Sequence, residues 1–102
     1  MAFKVNLLLS AQKDLDKALE YYYRINPSLS KRYFEEFLQI KTILETNPYF
    51  EIKYGHIRTL KLNSFPYLVH YIIDESIPQV LILAIVFGKR KKSKFDTRIN
   101  QI

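Results

Sequence analysis

The sequence predicts an α+β domain of order β-α-α-β-β-β, an antiparallel sheet covered on one face by an α-helical hairpin. Three observations predict it. Two stretches of helical periodicity lie back to back in the first half, and three strand-like runs follow one another in the second. The last of these runs, residues 80–87, is eight consecutive apolar residues, as a central strand buried on both faces requires. Strands joined by short turns pair antiparallel, and a helical hairpin can bury its stripe only against a sheet face. The 102 residues suffice for a single domain, residues 1–102, with one modest core.

Each element has its own signature. Phe3, Val5 and Leu7 alternate with Lys4 and Asn6 and predict a strand over 3–9. Ser10 is placed to cap a helix from Ala11, in which Leu15, Ala18, Leu19 and Tyr22 share one stripe. Asn26-Pro27 ends it. A second helix is expected from near Ser28 to about Thr46, with Tyr33, Phe37, Ile40 and Leu44 inward, Phe34 widening the stripe, and Glu35, Glu36, Gln39 and Thr42 outward. A connection of about four residues makes the two helices an antiparallel hairpin. Asn47-Pro48 stops the second, and 48–56 reads as a loop containing Gly55. Strands are expected at 57–63, at 67–73 and at 79–87, separated by turns around Phe65-Pro66 and Asp74-Glu75-Ser76 and ended by Gly88. Residues 95–102 read as a short helix or a frayed tail.

Composition narrows the function. An apolar fraction of 48% and a charged fraction of 25% are those of an ordinary globular protein. The absence of cysteine excludes a disulfide scaffold, a cysteine-based zinc site and a thiol nucleophile, and fits a reducing compartment. No apolar run approaches the ~18 residues of a membrane helix. Lys4 and Asn6 interrupt the N-terminal apolar segment, so a secretory leader is not expected either. A cytoplasmic protein with no membrane partner is the expectation. His70 alternates with Leu68 and Ile72 and reads as a packed strand histidine. No metal-ligand spacing, phosphate loop or catalytic triad is legible, so no metal or cofactor is predicted. Tyr22, Tyr33, Tyr67 and Tyr71 sit at core-facing positions, which favours packing over base stacking.

The charge is one-sided. Residues 1–52 hold seven Lys/Arg and seven Asp/Glu, whereas residues 53–102 hold nine basic and three acidic residues, so the net charge of +6 lies in the second half. Five of the six residues 89–94 are cationic: Lys89, Arg90, Lys91, Lys92 and Lys94. With Arg58 and Lys61 from a different strand, they predict a basic surface suited to phosphates or acidic protein segments. Arg58 shares strand parity with Leu60 and Leu62, a mostly apolar face on which an arginine ordinarily has a partner or a task.

The ordered set of local patterns resembles the RelE/ParE superfamily of toxins from type II toxin–antitoxin modules, also called plasmid-stabilisation proteins. Asp14-Leu15, Ala18 and Tyr22-Tyr23 resemble the family's opening helix. Pro27, Phe34 and Asn47-Pro48 fall where its second helix lies and ends. Arg58, Leu60, Leu62, Phe65-Pro66-Tyr67 and Tyr71 resemble the ParE-type strand pair, and Ile85-Val86-Phe87-Gly88-Lys89-Arg90 its last strand and basic turn. The resemblance implies a small growth inhibitor silenced by a cognate antitoxin, the pair binding its own operator DNA.

Two branches diverge in mechanism. RelE-type members cleave mRNA on the ribosome, which needs a deprotonated 2′-hydroxyl, a stabilised phosphate and a protonated leaving oxygen. Clustered cations depress one another's pKa, so a lysine can act as base. Lys61 and Arg90 match that pattern. Leu68 replaces an arginine, however, and Phe95-Asp96 supplies no phenol. ParE-type members instead inhibit DNA gyrase by protein contact. The reading therefore leans to a non-enzymatic ParE-like toxin that uses Arg58, Lys61, Lys89, Arg90, Lys91 and Lys92 to bind antitoxin or target. The alternatives are a ribosome-dependent mRNA endonuclease using Lys61 and Arg90, and an inactive toxin-fold binding protein.

Overall fold

The computed structural model describes residues 2–88. Strand β1 (Lys4–Leu7) leads into helices α1 (Leu9–Ile25) and α2 (Pro27–Thr46), followed by β2 (Ile52–Tyr54), β3 (Ile57–Lys61), β4 (Tyr67–Asp74) and β5 (Gln79–Phe87). The five strands form one sheet in the order β1-β5-β4-β3-β2. Pairing is antiparallel from β2 through β5, but β1 runs parallel to β5, from Lys4 opposite Gln79 to Leu7 opposite Ile82. The sheet is therefore mixed. The helical hairpin is what makes this possible: it separates β1 from the rest of the sheet and carries the chain across its face as a crossover.

Asn26 alone joins the helices, fewer residues than the pattern suggests. Its side-chain oxygen accepts from the Ser28 N–H at 3.0 Å and from the Ser28 hydroxyl at 2.9 Å, capping α2. Pro27 then occupies the first helical position, where no N–H is needed. One residue thus ends one helix and starts the next. Helix α1 begins earlier than expected, with Leu8 at the N-cap. Ser10 is inside the helix, and its hydroxyl donates to the Leu83 carbonyl at 3.2 Å.

The core lies between the hairpin and one sheet face. Ala11, Leu15 and Ala18 of α1 and Tyr33, Phe37, Ile40 and Leu44 of α2 pack against Val69, Tyr71, Val80, Ile82 and Ile85. At one end the rings of Tyr22, Tyr33, Phe65 and Tyr67 meet at centroid distances of 4.9–6.2 Å. Tyr33 is fully buried, and its hydroxyl has no hydrogen bond within the described residues. Burial, and then the nearby Tyr67, Tyr22 and Asp14, raise its pKa, so it stays protonated.

Glu36 is buried, contrary to the outward position its spacing suggests. Its carboxylate accepts from the Ser64 N–H at 2.8 Å and so fixes the turn between β3 and β4 to α2. The segment 48–56 also departs from expectation, because it contains β2. Gly55, at φ +55°, supplies the left-handed backbone that the two-residue turn between β2 and β3 needs. Two exposed residues and a half-buried tyrosine lack the alternation by which a strand is recognised, so β2 is held by its neighbours rather than by its own pattern.

Candidate partner-binding interface

Arg58 lies on the helix-facing side of β3, opposite Tyr71 on β4. Its guanidinium donates to the Phe50 carbonyl and sits 5.4 Å from the centroid of the Tyr49 ring. Tyr71 donates its hydroxyl to the Pro48 carbonyl at 2.8 Å, and Tyr49 donates to Glu75 at 2.9 Å. Burial pushes the Tyr71 phenol up to about 12, against the lowering effects of Arg58 and a backbone hydrogen bond. The partner that an arginine on an apolar face calls for is thus the chain between α2 and β2. Arg58 holds this segment on the sheet and gives β2 its place.

Lys61 stands three residues further along β3 and on the opposite face, about 10 Å away along the strand. Its ammonium donates to the Leu62 carbonyl at 3.1 Å. Lys61 is opposite Leu68, which is in turn opposite Val86. Arg58 and Lys61 are therefore not brought together. Lys61 instead shares an end of the sheet with Gly88, where β5 finishes. Gly88 has φ +28° and donates its N–H to the Pro66 carbonyl, fixing the exit of β5 against the turn that precedes β4. Lys89, Arg90, Lys91 and Lys92, and with them Phe95 and the segment 95–102 expected as a short helix or a frayed tail, lie outside the described residues.

Two α1 side chains shape β5 just before that exit. The register of β4 against β5 passes from His70 opposite Ala84 to Tyr71 opposite Ile82, so Leu83 is an extra residue, as in a β-bulge. β1 ends opposite Ile82, so among the described residues the following edge of β5 has no strand partner on that side. The Leu83 carbonyl accepts from Ser10, and the Ile85 N–H donates to the Asp14 carboxylate at 3.0 Å. Side chains one helical turn apart thus replace the missing stretch of β1. Composition and charge gave no hint of this role. The signal available was a carboxylate inside the apolar stripe Ala11, Asp14, Leu15, Ala18, at helical spacing.

The face away from the helices carries Thr59, His70 and Ala84 in one cross-strand row. His70 is buried. Desolvation, and secondarily the Lys53 charge, lower its pKa to about 4, so the imidazole is neutral at physiological pH. Among the described residues no group of three or more His, Cys, Asp or Glu is arranged to hold a metal. No described helix is long and apolar enough to cross a membrane.

Comparison with known proteins gives the same architecture. The family model for the ParE toxin of the type II toxin–antitoxin system parDE matches residues 5–91. No curated protein matches in sequence. A solved chain from the chromosomal ParDE system of P. aeruginosa is similar with a TM-score of 0.72 at 17% identity, over 86% of this chain and 98% of that one. An arginine-substituted mutant of E. coli toxin RelE in the free state is similar with a TM-score of 0.73 at 15% identity, over 100% and 99%. A chain of the archaeal RelE–RelB complex from Pyrococcus horikoshii aligns with a TM-score of 0.54 at 20% identity, over 89% and 100%. At these identities the structural likeness establishes the fold; the family model spans most of the chain. This chain belongs to the ParE toxin family of type II toxin–antitoxin systems.

Proposed function

We propose that this toxin is a non-enzymatic growth inhibitor that acts by protein contact, with DNA gyrase as its target and a cognate antitoxin as its silencing partner. The observation that carries this reading is the row Lys61, Leu68, Val86 across β3, β4 and β5. Cutting RNA requires several groups converging on one phosphate: a base, an acid and charge stabilisation. Here the cross-strand neighbours of Lys61 are aliphatic, and His70 is buried and neutral. The apolar pair beside Lys61 suits a protein surface better than a scissile phosphate.

Lys61 and the cationic residues Lys89, Arg90, Lys91 and Lys92 form the basic edge in this account, and Arg58 supports it from the other face by holding β2. The antitoxin engages the edge through an acidic segment, for which opposite charge accelerates association. The solved ParDE and RelE–RelB systems support an antitoxin partner of this kind. Induced expression is expected to arrest growth, and co-expression of the antitoxin to relieve the arrest. Replacing Lys89, Arg90, Lys91 and Lys92 with Gln is expected to weaken antitoxin binding roughly tenfold at low salt and to flatten its salt dependence. Titration calorimetry at two ionic strengths checks this; unchanged affinity at both removes the basic edge from the interface.

A further inference from the structure

β2 is the last strand in the order β1-β5-β4-β3-β2, so among the described residues one of its edges has no strand beside it. Large apolar side chains are exposed there: Ile52 is 48% and Phe50 38% accessible. An open apolar edge is a template for another strand unless charge blunts it. The charges around Ile52 have a particular order. Glu51 precedes it and Lys53 follows it, both exposed. Lys53 has no register partner on β3, because the pairing shifts between Ile52 and Tyr54.

This order is self-complementary. An antiparallel copy related by a two-fold axis at Ile52 sets Ile52 against Ile52, Glu51 against Lys53 and Lys53 against Glu51. Phe50 then falls beside Tyr54. Opposite charges and apolar pairs directly across strands are stabilising, and like charges are destabilising. A parallel copy in the same register would set Glu51 against Glu51 and Lys53 against Lys53. Each lysine that would protect a lone edge is thus neutralised when the partner is a second copy in the two-fold arrangement, and that symmetry closes after two subunits.

We propose that this protein forms a two-fold homodimer by antiparallel pairing of β2 with β2 of a second copy, joining two five-stranded sheets into one. The contact leaves Lys61 and the end of β5 free, so the inference does not depend on the toxin's target.

The test is sedimentation of the purified protein at about 100 μM, high enough to populate a weak complex. The unaltered chain is expected to sediment as a dimer, Lys53→Glu and Glu51→Lys each as a monomer, and the double exchange as a dimer again. A monomeric unaltered chain, or a double exchange that fails to restore association, overturns the proposal. Cross-linking gives a second reading, because the chain contains no cysteine. Cα atoms directly opposite in an antiparallel pair lie about 4.5–5.5 Å apart, within disulfide range. Mild oxidation is expected to convert Ile52→Cys to a covalent dimer and to leave Ile77→Cys, at an exposed turn, monomeric. No cross-link at position 52, or equal cross-linking at both positions, contradicts the two-fold pairing.

Discussion

Acidification from about pH 7 to about pH 4.5 is expected to remove about 2–3 kcal/mol of folding stability through His70. The imidazole is buried between Thr59 and Ala84, and its pKa is lowered from 6.5 to about 4 by desolvation first and the Lys53 charge second. In the unfolded chain His70 binds a proton below about pH 6.5. In the folded chain it stays neutral until about pH 4. Between those values the unfolded state binds more protons, so stability falls as pH falls; above about pH 7 neither state is protonated and the contribution is flat. Urea unfolding across this window is expected to show the fall in the unaltered protein and a flatter profile in His70→Gln. Parallel profiles for the two proteins would mean that the imidazole takes up its proton without leaving its place.

Asp14→Ala is expected to lose about 2–3 kcal/mol at neutral pH, because a charged acceptor is removed and the Ile85 N–H is left without it. This is a large fraction of the 5–15 kcal/mol typical of a domain. Asp14→Asn keeps an acceptor and is expected to lose less than half as much. Denaturant midpoints measure the difference. Amide exchange at Ile85 locates it, since the alanine variant is expected to open there first. Equal losses for the two variants would show that Asp14 acts through something other than this hydrogen bond.

Much of the fold is legible because burial imposes periodicity. The stripe Tyr33, Phe37, Ile40, Leu44 and the apolar run of β5 are where the pattern places them. His70 is packed, as its alternation indicates. What periodicity does not reveal is a residue whose task is a hydrogen bond across the fold. Asp14 and Ser10 bond to β5 more than 70 residues away in sequence, and Glu36 bonds to Ser64 across 28 residues. Glu36 reads as a solvent-facing charge until its partner is seen, whereas Asp14 is marked only by its place inside an apolar stripe. β2 is missed for a related reason: only three residues long and mostly exposed, it exists because Arg58 and Tyr71 hold the segment before it.

The predicted interface divides along the same line. Strand parity correctly separates Arg58 from Lys61, and the apolar side of β3 supplies Arg58 with partners of its own. Grouping the two as one charged patch overlooks that parity. Lys61 remains at the end where β5 finishes, with Leu68 and Val86 beside it, and this apolar surrounding supports protein contact over phosphate chemistry.

The most direct test of that account is a supercoiling assay with purified toxin and DNA gyrase, run beside a ribosome-dependent mRNA cleavage assay. The toxin is expected to inhibit gyrase, the cognate antitoxin to relieve the inhibition, and mRNA on the ribosome to stay intact. Unimpaired supercoiling together with cleavage of ribosome-bound mRNA would contradict it.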